Sequence, residues 1–489
     1  MLFNSVEFAV FLPIVFLLYW FACNRSARLQ NVFLVAASCV FYAWWDWRFL
    51  ILIGITTFCS WLSGLLIIKA RKNNTTSTKQ KERAITIANV LLNLAILLFF
   101  KYYNFFIESF IDAFTLFRCE LPLQSLRIIL PVGISFYTFQ ALSYTIDVYK
   151  KKIEPTQDII SFTAFISFFP QLAAGPIERA SNLLTQFQSR RSFDYAKSVD
   201  GLRQILWGLF KKIVIADNCA EYANLFFNHS SEYGGSALLL GAFFFTFQIY
   251  GDFSGYSDIA IGTARLFGIN LMRNFNFPYF SRDIAEFWRR WHISLTTWFR
   301  DYVYIPLGGS HGRRAKVVRN TFIIFLISGL WHGANWTFIL WGVYHAVLFL
   351  PLLLSHRNRK HTNTVADGKR VPNIRELCQM TVTFVLVLFG WIIFRADSIG
   401  HAVSYIREIA SPSLFTIPDF EEMTKAAVLI LLIILFTFVE WLGRGQQYAI
   451  EKLWLKKTSL LRWAIYAFIV FLILLFMPTS GTPFIYFQF

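Results

Sequence analysis

The amino-acid sequence predicts an all-α, polytopic integral membrane protein with about 10–12 transmembrane or re-entrant helices. Hydrophobic residues make up 56% of its 489 residues and charged residues only 15%, a balance too apolar for an ordinary soluble domain. Several apolar runs reach or approach the ~20 residues that one helical crossing needs. These runs include Ile85–Phe100, Leu238–Tyr250, Phe322–Leu354, Val382–Phe394, Ala426–Val439 and Trp463–Met477.

The net charge of +17 is explained by membrane topology rather than by binding to nucleic acid. Lys and Arg cluster in short segments between apolar runs, as the positive-inside rule describes. The segment Lys69–Arg83 has six basic residues and one Glu, so we assign it to the cytoplasm. The basic segments Arg313–Arg319, Arg357–Arg370 and Arg444–Arg462 are assigned to the same face. Three predicted crossings before Lys69 then place the N-terminus outside.

The cysteines and the chain ends point to no processing or disulfide framework. The first apolar run follows no basic segment and precedes no A-x-A site, so we expect it to be retained as a span. The aromatic C-terminal segment Phe484–Phe489 is expected at a membrane interface. The cysteines lack C-x-x-C spacing and are expected to be free thiols. They are Cys23, Cys39, Cys59, Cys119, Cys219 and Cys378.

The first third of the chain predicts membrane helices with two unusual segments. Residues 5–68 predict three crossings with tight connections at Asn24–Arg28 and near Trp47, and Cys119–Leu126 predicts an external connection. Pro131–Gln140 combines Pro and Gly with Ser, Tyr and Gln, which indicates a kinked helix that faces protein rather than lipid. Two prolines and a glycine in Phe168–Arg179 favour a re-entrant turn over a crossing.

The middle of the chain carries charges in an apolar context. Residues 181–203 predict an amphipathic connection on the inner surface, and the segment around Lys211 leads back into the membrane. Asp252 and Asp258 follow within a run of Gly, Ser and Tyr. Carboxylates there are unfavourable unless they line a wet cavity or pair with cations.

The stretch Asp283–Trp336 predicts a helical hairpin that dips into the membrane with its bend on one face. Each arm carries a histidine among tryptophans, and a Pro/Gly turn with a basic loop separates the arms. His292 lies 13 residues before Ile305, and His332 lies 12 residues after Asn320. With a rise of ~1.5 Å per residue, both histidines would lie roughly 18–20 Å from the loop. Equal depth suggests one site, although Arg300 and Asp301 indicate a break in the first arm.

His332 is the first candidate catalytic residue. Ser328, Asn335 and Trp336 lie at helical spacing from it and predict one polar strip on an apolar helix. A neutral histidine at depth can act as a general base toward a hydroxyl. The alternative is a structural histidine that bridges two helices through a hydrogen bond.

His292 is the second candidate. Helical spacing would place Arg289 and Thr296 on its face, and Glu286 and Arg290 have the i,i+4 spacing of an ion pair. It would act as a partner histidine or polarise an acyl carbonyl. The alternative is an arginine–tryptophan belt at the lipid headgroups.

The remaining histidines and the missing motifs leave a metal-free histidine site as the simplest hypothesis. His345 lies 13 residues beyond His332, roughly 20 Å along a continuous helix, which favours a structural role. The sequence contains no H-E-x-x-H, P-loop or G-x-G-x-x-G motif and no zinc-type Cys/His cluster. Gly251–Gly255 has the wrong spacing for the G-x-S-x-G nucleophile elbow, and no strand precedes it. The other histidines that we assign to the surface are His311, His356, His361 and His401.

Several motifs together resemble the membrane-bound O-acyltransferases (MBOAT family). The similarity is to the bacterial branch that contains the alginate O-acetylation and teichoic-acid D-alanylation membrane proteins, and it covers nearly the whole chain. The segments that carry it are Trp331–Trp336, Trp288–Gly309, Gly251–Asp258, Pro131–Gln140, Phe168–Ile177 and Phe394–Ala396.

The resemblance implies a helical fold with a central tunnel, in which His332 matches the essential histidine and His292 the second histidine of the bacterial branch. It implies no bound cofactor. The donor would be a cytoplasmic acyl thioester, either acetyl-CoA or an acyl carrier protein. The acceptor would be a polysaccharide hydroxyl or an extracytoplasmic acetyltransferase partner. The residues expected to bind substrate or line the site are Asn335, Trp331, Trp336, Ser328, Trp291, Arg289, Asp252 and Tyr256.

We therefore expect one membrane domain over residues 1–489, in a bacterial cytoplasmic membrane. Residues 1–125 would form N-terminal helices, 126–350 the core with the catalytic hairpin, and 351–489 the C-terminal helices. The expected activity is O-acetylation of an exported or cell-wall polysaccharide, with His332 as base and His292 or Asn335 orienting the reactants or stabilising the oxyanion. Two alternatives remain: D-alanyl transfer to teichoic acid, and a proton-coupled transporter.

Overall fold

A computed structural model describes residues 1–73, 78–116, 126, 128–172, 175–455, 457–478 and 485, and every regular element among them is helical. The predicted connection Cys119–Leu126 and the C-terminal segment Phe484–Phe489 lie outside the described residues, apart from Leu126 and Ile485. The chain forms two compact units. The first comprises Met1–Ser198 and Thr263–Met272, and the second comprises Val199–Gly262 and Arg273–Phe489.

The first unit is built from eight whole helices, the start of the ninth and the end of the eleventh. Three of them precede Asn73, so residues 5–68 form three helices, and their predicted role as three crossings stays a prediction. Ser5 and Ser26 begin two of these helices by accepting hydrogen bonds from the backbone N–H groups of Phe8 and Leu29. The helices are α1 (Val6–Leu17, extended by a π-turn over Leu18–Ala22), α2 (Ala27–Asp46), α3 (Phe49–Lys72), α4 (Thr78–Leu116), α5 (Ile134–Tyr149), α6 (Ile159–Ser167), α7 (Phe169–Leu172) and α8 (Ala180–Phe187).

The second unit contains the remaining helices, and two of them, α9 and α11, also contribute residues to the first unit. They are α9 (Tyr195–Leu209), a π-helix (Phe210–Asp217), α10 (Asn218–Asn228), α11 (Gly235–Leu266), α12 (Ile284–Arg290), α13 (Ile293–Phe299), a π-turn (Arg300–Tyr304), α14 (Arg314–His332), α15 (Trp336–Leu354), α16 (Ile374–Arg395), α17 (Ile399–Ile409), α18 (Met423–Gly443) and α19 (Ser459–Leu475).

Six helices in the described part of the chain are long and apolar enough to cross a membrane, which confirms a multi-pass membrane protein. They are Phe49–Lys72, Thr78–Ile111, Gly235–Leu266, Trp336–Leu354, Ile374–Arg395 and Met423–Gly443. The shorter apolar helices Val6–Ala22 and Ser459–Leu475 fall below that length. The apolar run Phe322–Leu354 is divided between α14 and α15, and the total number of crossings stays a prediction.

The predicted kink in Pro131–Gln140 is wrong, because helix α5 begins only at Ile134. Gly133 has a φ of 73°, a left-handed conformation that glycine adopts without strain and that stops the helix from extending further back. Pro131 therefore precedes the helix. The side chains from Ile134 to Thr145 are all buried, which confirms that this helix faces protein.

The helices α14 and α15 pack closely along two glycines, and this contact positions the end of the predicted hairpin. Gly329 faces the backbone oxygen of Phe338, and Gly342 faces that of Phe325. A side chain at either glycine would overlap the facing backbone. Small residues that let two backbones approach are typical of helix pairs in membranes.

The five cysteines that the structure describes are free thiols, as predicted. Cys23 and Cys219 are buried, whereas Cys378 is exposed near the start of α16. Cys119 lies outside the described residues.

Candidate active site

The first arm of the predicted hairpin is broken, and the break is at His292 itself. Helix α12 ends at Arg290, α13 begins at Ile293, and His292 between them has a left-handed backbone with a φ of 44°. The depth of His292 calculated from one continuous helix is therefore wrong, and so is its predicted shared face with Arg289 and Thr296. The second arm is continuous from Arg314 to His332, as predicted.

His332 is the last residue of α14, so the predicted polar strip through Asn335 and Trp336 is wrong. Gly333 is extended and ends the helix. Asn335 caps α15 by accepting a hydrogen bond from the backbone N–H of Thr337 at 3.0 Å, and its Nδ2 donates to the oxygen of Asp397 at 3.1 Å. Trp336 is exposed. Only Ser328, one turn before His332, stays on its helical face.

Both candidate histidines line one cavity of about 480 Å³ within the second unit. Three further predicted residues line it too: Ser328, Trp291 and Arg289. Asn335, Trp331, Trp336, Asp252 and Tyr256 are not among its lining residues. Most of the other wall residues are apolar or aromatic, including Trp288, Ile293, Leu295, Phe299, Ile324, Phe325, Phe349 and Leu353.

Trp331 connects the two histidines although it is not part of the cavity wall. Its ring centroid lies 5.6 Å from that of His292 and 4.9 Å from that of His332, edge-on in both cases. His332 also packs edge-on against Trp341 and Phe394, each at 5.2 Å. The histidines are 1% and 4% exposed. This aromatic packing holds both imidazoles in place beside the cavity.

His292 is fixed by a polar group that the sequence analysis did not single out. Its Nδ1 lies 3.1 Å from Oδ1 of Asn274, and Phe253 packs on its ring at 4.6 Å. His292 lies outside the six apolar helices, and burial lowers its pKa to about 3. It is therefore neutral near pH 7, a state in which one ring nitrogen can accept a proton or hydrogen bond.

The predicted ion pair between Glu286 and Arg290 is confirmed and has a structural role. The Glu286 carboxylate accepts hydrogen bonds from Arg290 at 2.8 Å and from Arg282 at 2.9 Å. Asp283 caps the same short helix by accepting from the backbone N–H of Glu286 at 2.6 Å. These contacts fix α12, which carries Trp288 and Arg289 into the cavity wall.

Asp252 and Asp258 pair with buried lysines, which confirms one of the two explanations offered for their burial. Lys212 lies 2.8 Å from Asp252 and 2.7 Å from Asp217, and Lys211 lies 2.5 Å from Asp258. The Lys212 ammonium also lies 5.5 Å from the ring centre of Tyr256. Asp252 and Tyr256 thus belong to an ionic cluster. The sequence could have predicted this pairing, because two adjacent lysines in an apolar helix need anionic partners.

His345 does not line the cavity, although the distance argument used for it is wrong. The chain is interrupted between α14 and α15, and the rings of His332 and His345 both pack on Trp341, at 5.2 Å and 4.9 Å. His345 is fully buried and also contacts Trp288 at 4.9 Å. The four histidines that we assigned to the surface are fully or partly exposed, as predicted: His311, His356, His361 and His401.

Comparison with known families identifies the class of protein. Residues 40–392, which include both histidines and the cavity, match the model of the membrane-bound O-acyltransferase family. The chain belongs to this family. The membrane-bound O-acyltransferase fold and activity predicted from the sequence are therefore confirmed, and the transporter alternative is not supported.

Curated membrane-bound O-acyltransferases resemble this chain to different extents. A probable alginate O-acetylase of Pseudomonas aeruginosa is 41% identical over 404 residues, which cover 82% of this chain and 73% of the relative. A peptidoglycan O-acetyltransferase of Helicobacter pylori is 34% identical, covering 83% and 79%. A teichoic acid D-alanyltransferase of Bacillus subtilis is 30% identical, covering 55% and 70%.

Proposed function

We propose that this O-acyltransferase moves an acetyl group from a cytoplasmic thioester to a hydroxyl group of an exported or cell-wall polysaccharide, directly or through an extracytoplasmic acetyltransferase partner. The observation that carries the proposal is the cavity lined by both His292 and His332. The higher identity and coverage of the O-acetylating relatives favour acetyl over D-alanyl transfer. The basic segments favour an N-terminus outside the cytoplasm, and the bacterial relatives favour a bacterial cytoplasmic membrane.

The cavity suits acyl transfer from a thioester to an alcohol. His332 would take the proton of the attacking hydroxyl while the hydroxyl oxygen bonds to the thioester carbonyl carbon. Collapse of the tetrahedral intermediate breaks the C–S bond, and the proton held by His332 passes to the departing sulfur. The aromatic wall limits water and so protects the thioester from hydrolysis. No metal or bound cofactor enters this sequence of steps.

The arginines in the cavity wall support a donor that carries phosphate groups. Arg289, Arg300 and Arg359 all line the cavity. Arg289 is held by the backbone oxygens of Asn358 and His361, whereas the side chain of Arg359 is exposed. Guanidinium groups bind phosphates through paired hydrogen bonds. Acetyl-CoA and a phosphopantetheine-bearing carrier protein both carry phosphate at the end of the pantetheine arm opposite the thioester.

Replacing Arg300 and Arg359 together by alanine is expected to raise the KM for acetyl-CoA by at least about tenfold, since each hydrogen bond to a charged group contributes about 1.5–3 kcal/mol. The value of kcat should change less, because both side chains are proposed to bind the donor rather than the reacting atoms. Initial rates in membrane vesicles over a range of acetyl-CoA concentrations measure both. Arg314→Ala, an exposed arginine outside the cavity, is the matched control. An unchanged KM in the double variant would exclude this donor site.

Deleting the gene is expected to remove O-acetyl esters from an exported polysaccharide, and the wild-type chain should restore them. Acetate and D-alanine released by mild alkali from purified surface polymers are quantified in parallel. Loss of acetate alone supports the proposal. Loss of D-alanine alone would show that the enzyme transfers D-alanine instead of acetyl. Unchanged amounts of both would contradict the proposed function.

A further inference from the structure

The segment Asn274–Asn276 forms backbone hydrogen bonds with the residues on both sides of the break between α12 and α13. The backbone N–H of Asn276 donates to the oxygen of Arg290 at 2.9 Å, and that of Ile293 donates to the oxygen of Asn274 at 2.9 Å. The two segments therefore run alongside each other on both sides of His292. This pairing fixes the position of the Asn274 side chain relative to the imidazole.

The orientation of the Asn274 amide follows from its hydrogen bonds. Its Oδ1 accepts from the backbone N–H of Ser294 at 3.3 Å and from the Ser294 hydroxyl at 2.9 Å. A backbone N–H can only donate, so the atom facing it must be the oxygen of the amide. The Nδ2 group donates in the other direction, to the Ser257 hydroxyl at 3.3 Å.

The same oxygen lies 3.1 Å from Nδ1 of His292, and an amide oxygen only accepts hydrogen bonds. Nδ1 must therefore carry the hydrogen in the neutral imidazole. We propose that Asn274 is a positioning residue that holds His292 in the Nδ1–H tautomer, with the lone pair on Nε2. Histidine tautomers are commonly set in this way, by the hydrogen bond that one ring nitrogen makes.

The rest of the local structure keeps the imidazole in that orientation. The backbone of His292 is left-handed, which is an uncommon conformation for a residue with a side chain. Phe253 and Trp331 pack edge-on against the ring at 4.6 Å and 5.6 Å. Asn274 is outside the lining of the cavity, whereas His292 is part of it. Nε2, the nitrogen opposite Asn274, is itself buried.

This tautomer defines what His292 can do in the proposed reaction. The role given to His292 here rests on the proposed function. In the neutral state Nε2 carries the lone pair and can only accept a hydrogen bond. It cannot donate a hydrogen bond to an oxyanion, because the only N–H of the ring is held by Asn274. The geometry favours an orienting role for His292 over stabilisation of the oxyanion.

Nitrogen NMR of the full-length protein tests the tautomer without any assumption about activity. The protein is labelled with ¹⁵N in the histidine rings, and the His292 signals are those lost in His292→Phe. We expect a protonated Nδ1 and an unprotonated Nε2 in the wild type and in Asn274→Asp, whose carboxylate also accepts. Asn274→Leu should lose this preference. Asn276→Ala is the matched control, because Asn276 contacts this region through its backbone.

A wild-type spectrum with the hydrogen on Nε2 would overturn the assignment. An unchanged tautomer in Asn274→Leu would overturn the role of Asn274. Asn274→Asp keeps an acceptor for Ser294 and His292. If the leucine variant does not fold, the tautomer in the aspartate variant still tests the assignment. These outcomes are independent of which acyl group or acceptor the enzyme uses.

Acetyl transfer in membrane vesicles at several pH values gives the functional readout. We expect Asn274→Leu to lower kcat by about 10–100-fold, by analogy with the loss of a group that orients a metal-bound histidine. The carboxylate in Asn274→Asp favours the imidazolium and raises the pKa of His292. That variant should retain more activity than Asn274→Leu at high pH and lose it as the pH falls. An unchanged pH profile would contradict direct coupling between residue 274 and the imidazole.

Discussion

Replacing His332 by alanine is expected to lower the rate of acetyl transfer by about 10²–10⁴-fold, the contribution typical of a general base. His332 is the cavity-lining histidine at the end of a continuous helix, and three aromatic rings pack on its imidazole. Its removal takes away the proposed proton acceptor but leaves the cavity wall largely intact. The measurement is the ester-linked acetate on surface polysaccharide in a deletion strain that carries the variant.

Two controls make the His332 experiment decisive. The amount of protein in the membrane is compared by immunoblotting, because loss of packing against Trp341 could reduce it. His311→Ala, which changes an exposed histidine outside the cavity, should leave acetylation unchanged. Normal acetylation in cells with a normal amount of His332→Ala would exclude the proposed mechanism.

Replacing Lys212 by methionine is expected to lower the free energy of unfolding by about 3–5 kcal/mol, the usual effect of removing one partner from a buried ion pair. The ammonium lies 2.7 Å from Asp217 and 2.8 Å from Asp252, and all three side chains are at most 3% exposed. Methionine fills a similar volume but leaves two carboxylates buried without their cation. Thermal unfolding of the detergent-solubilised protein measures the loss as a lower Tm.

The matched control is Lys197→Met, which breaks an ion pair on the surface. Lys197 lies 3.9 Å from Asp194, and the two side chains are 56% and 44% exposed. Such pairs contribute about 0–1 kcal/mol, so the Tm should stay close to that of the wild type. If both substitutions lowered the Tm equally, the buried Lys212 ion pairs would contribute no more to stability than an exposed pair.

The predictions that succeeded depend on composition and on residues close in sequence. Apolar runs predicted the helices around Ile85–Phe100 and Ala426–Val439, because length and hydropathy determine which segments cross a membrane. The i,i+4 spacing of Glu286 and Arg290 predicted their ion pair. The tryptophan-flanked motifs predicted one site for His332 and His292, and the structure brings both to one cavity, while their chemical roles stay predictions.

The predictions that failed assumed that a helix continues where backbone contacts end it. Gly333 and the cap at Asn335 divide the second arm from α15, so residues at helical spacing from His332 do not share its face. The break at His292 depends on backbone bonds from the segment around Asn274, which lies 18 residues earlier in the chain. Sequence spacing within one helix carries no information about such partners.

The sequence by itself determined the membrane environment, most of the helices and the two histidines, because hydropathy and local spacing are properties of neighbouring residues. Only the tertiary structure decided which groups meet. It paired Lys212 with Asp252, excluded Asp252 and Tyr256 from the cavity wall, and placed Asn274 beside His292. Desolvation forces each buried polar group to find a partner, but the partner is chosen by the packing of distant segments.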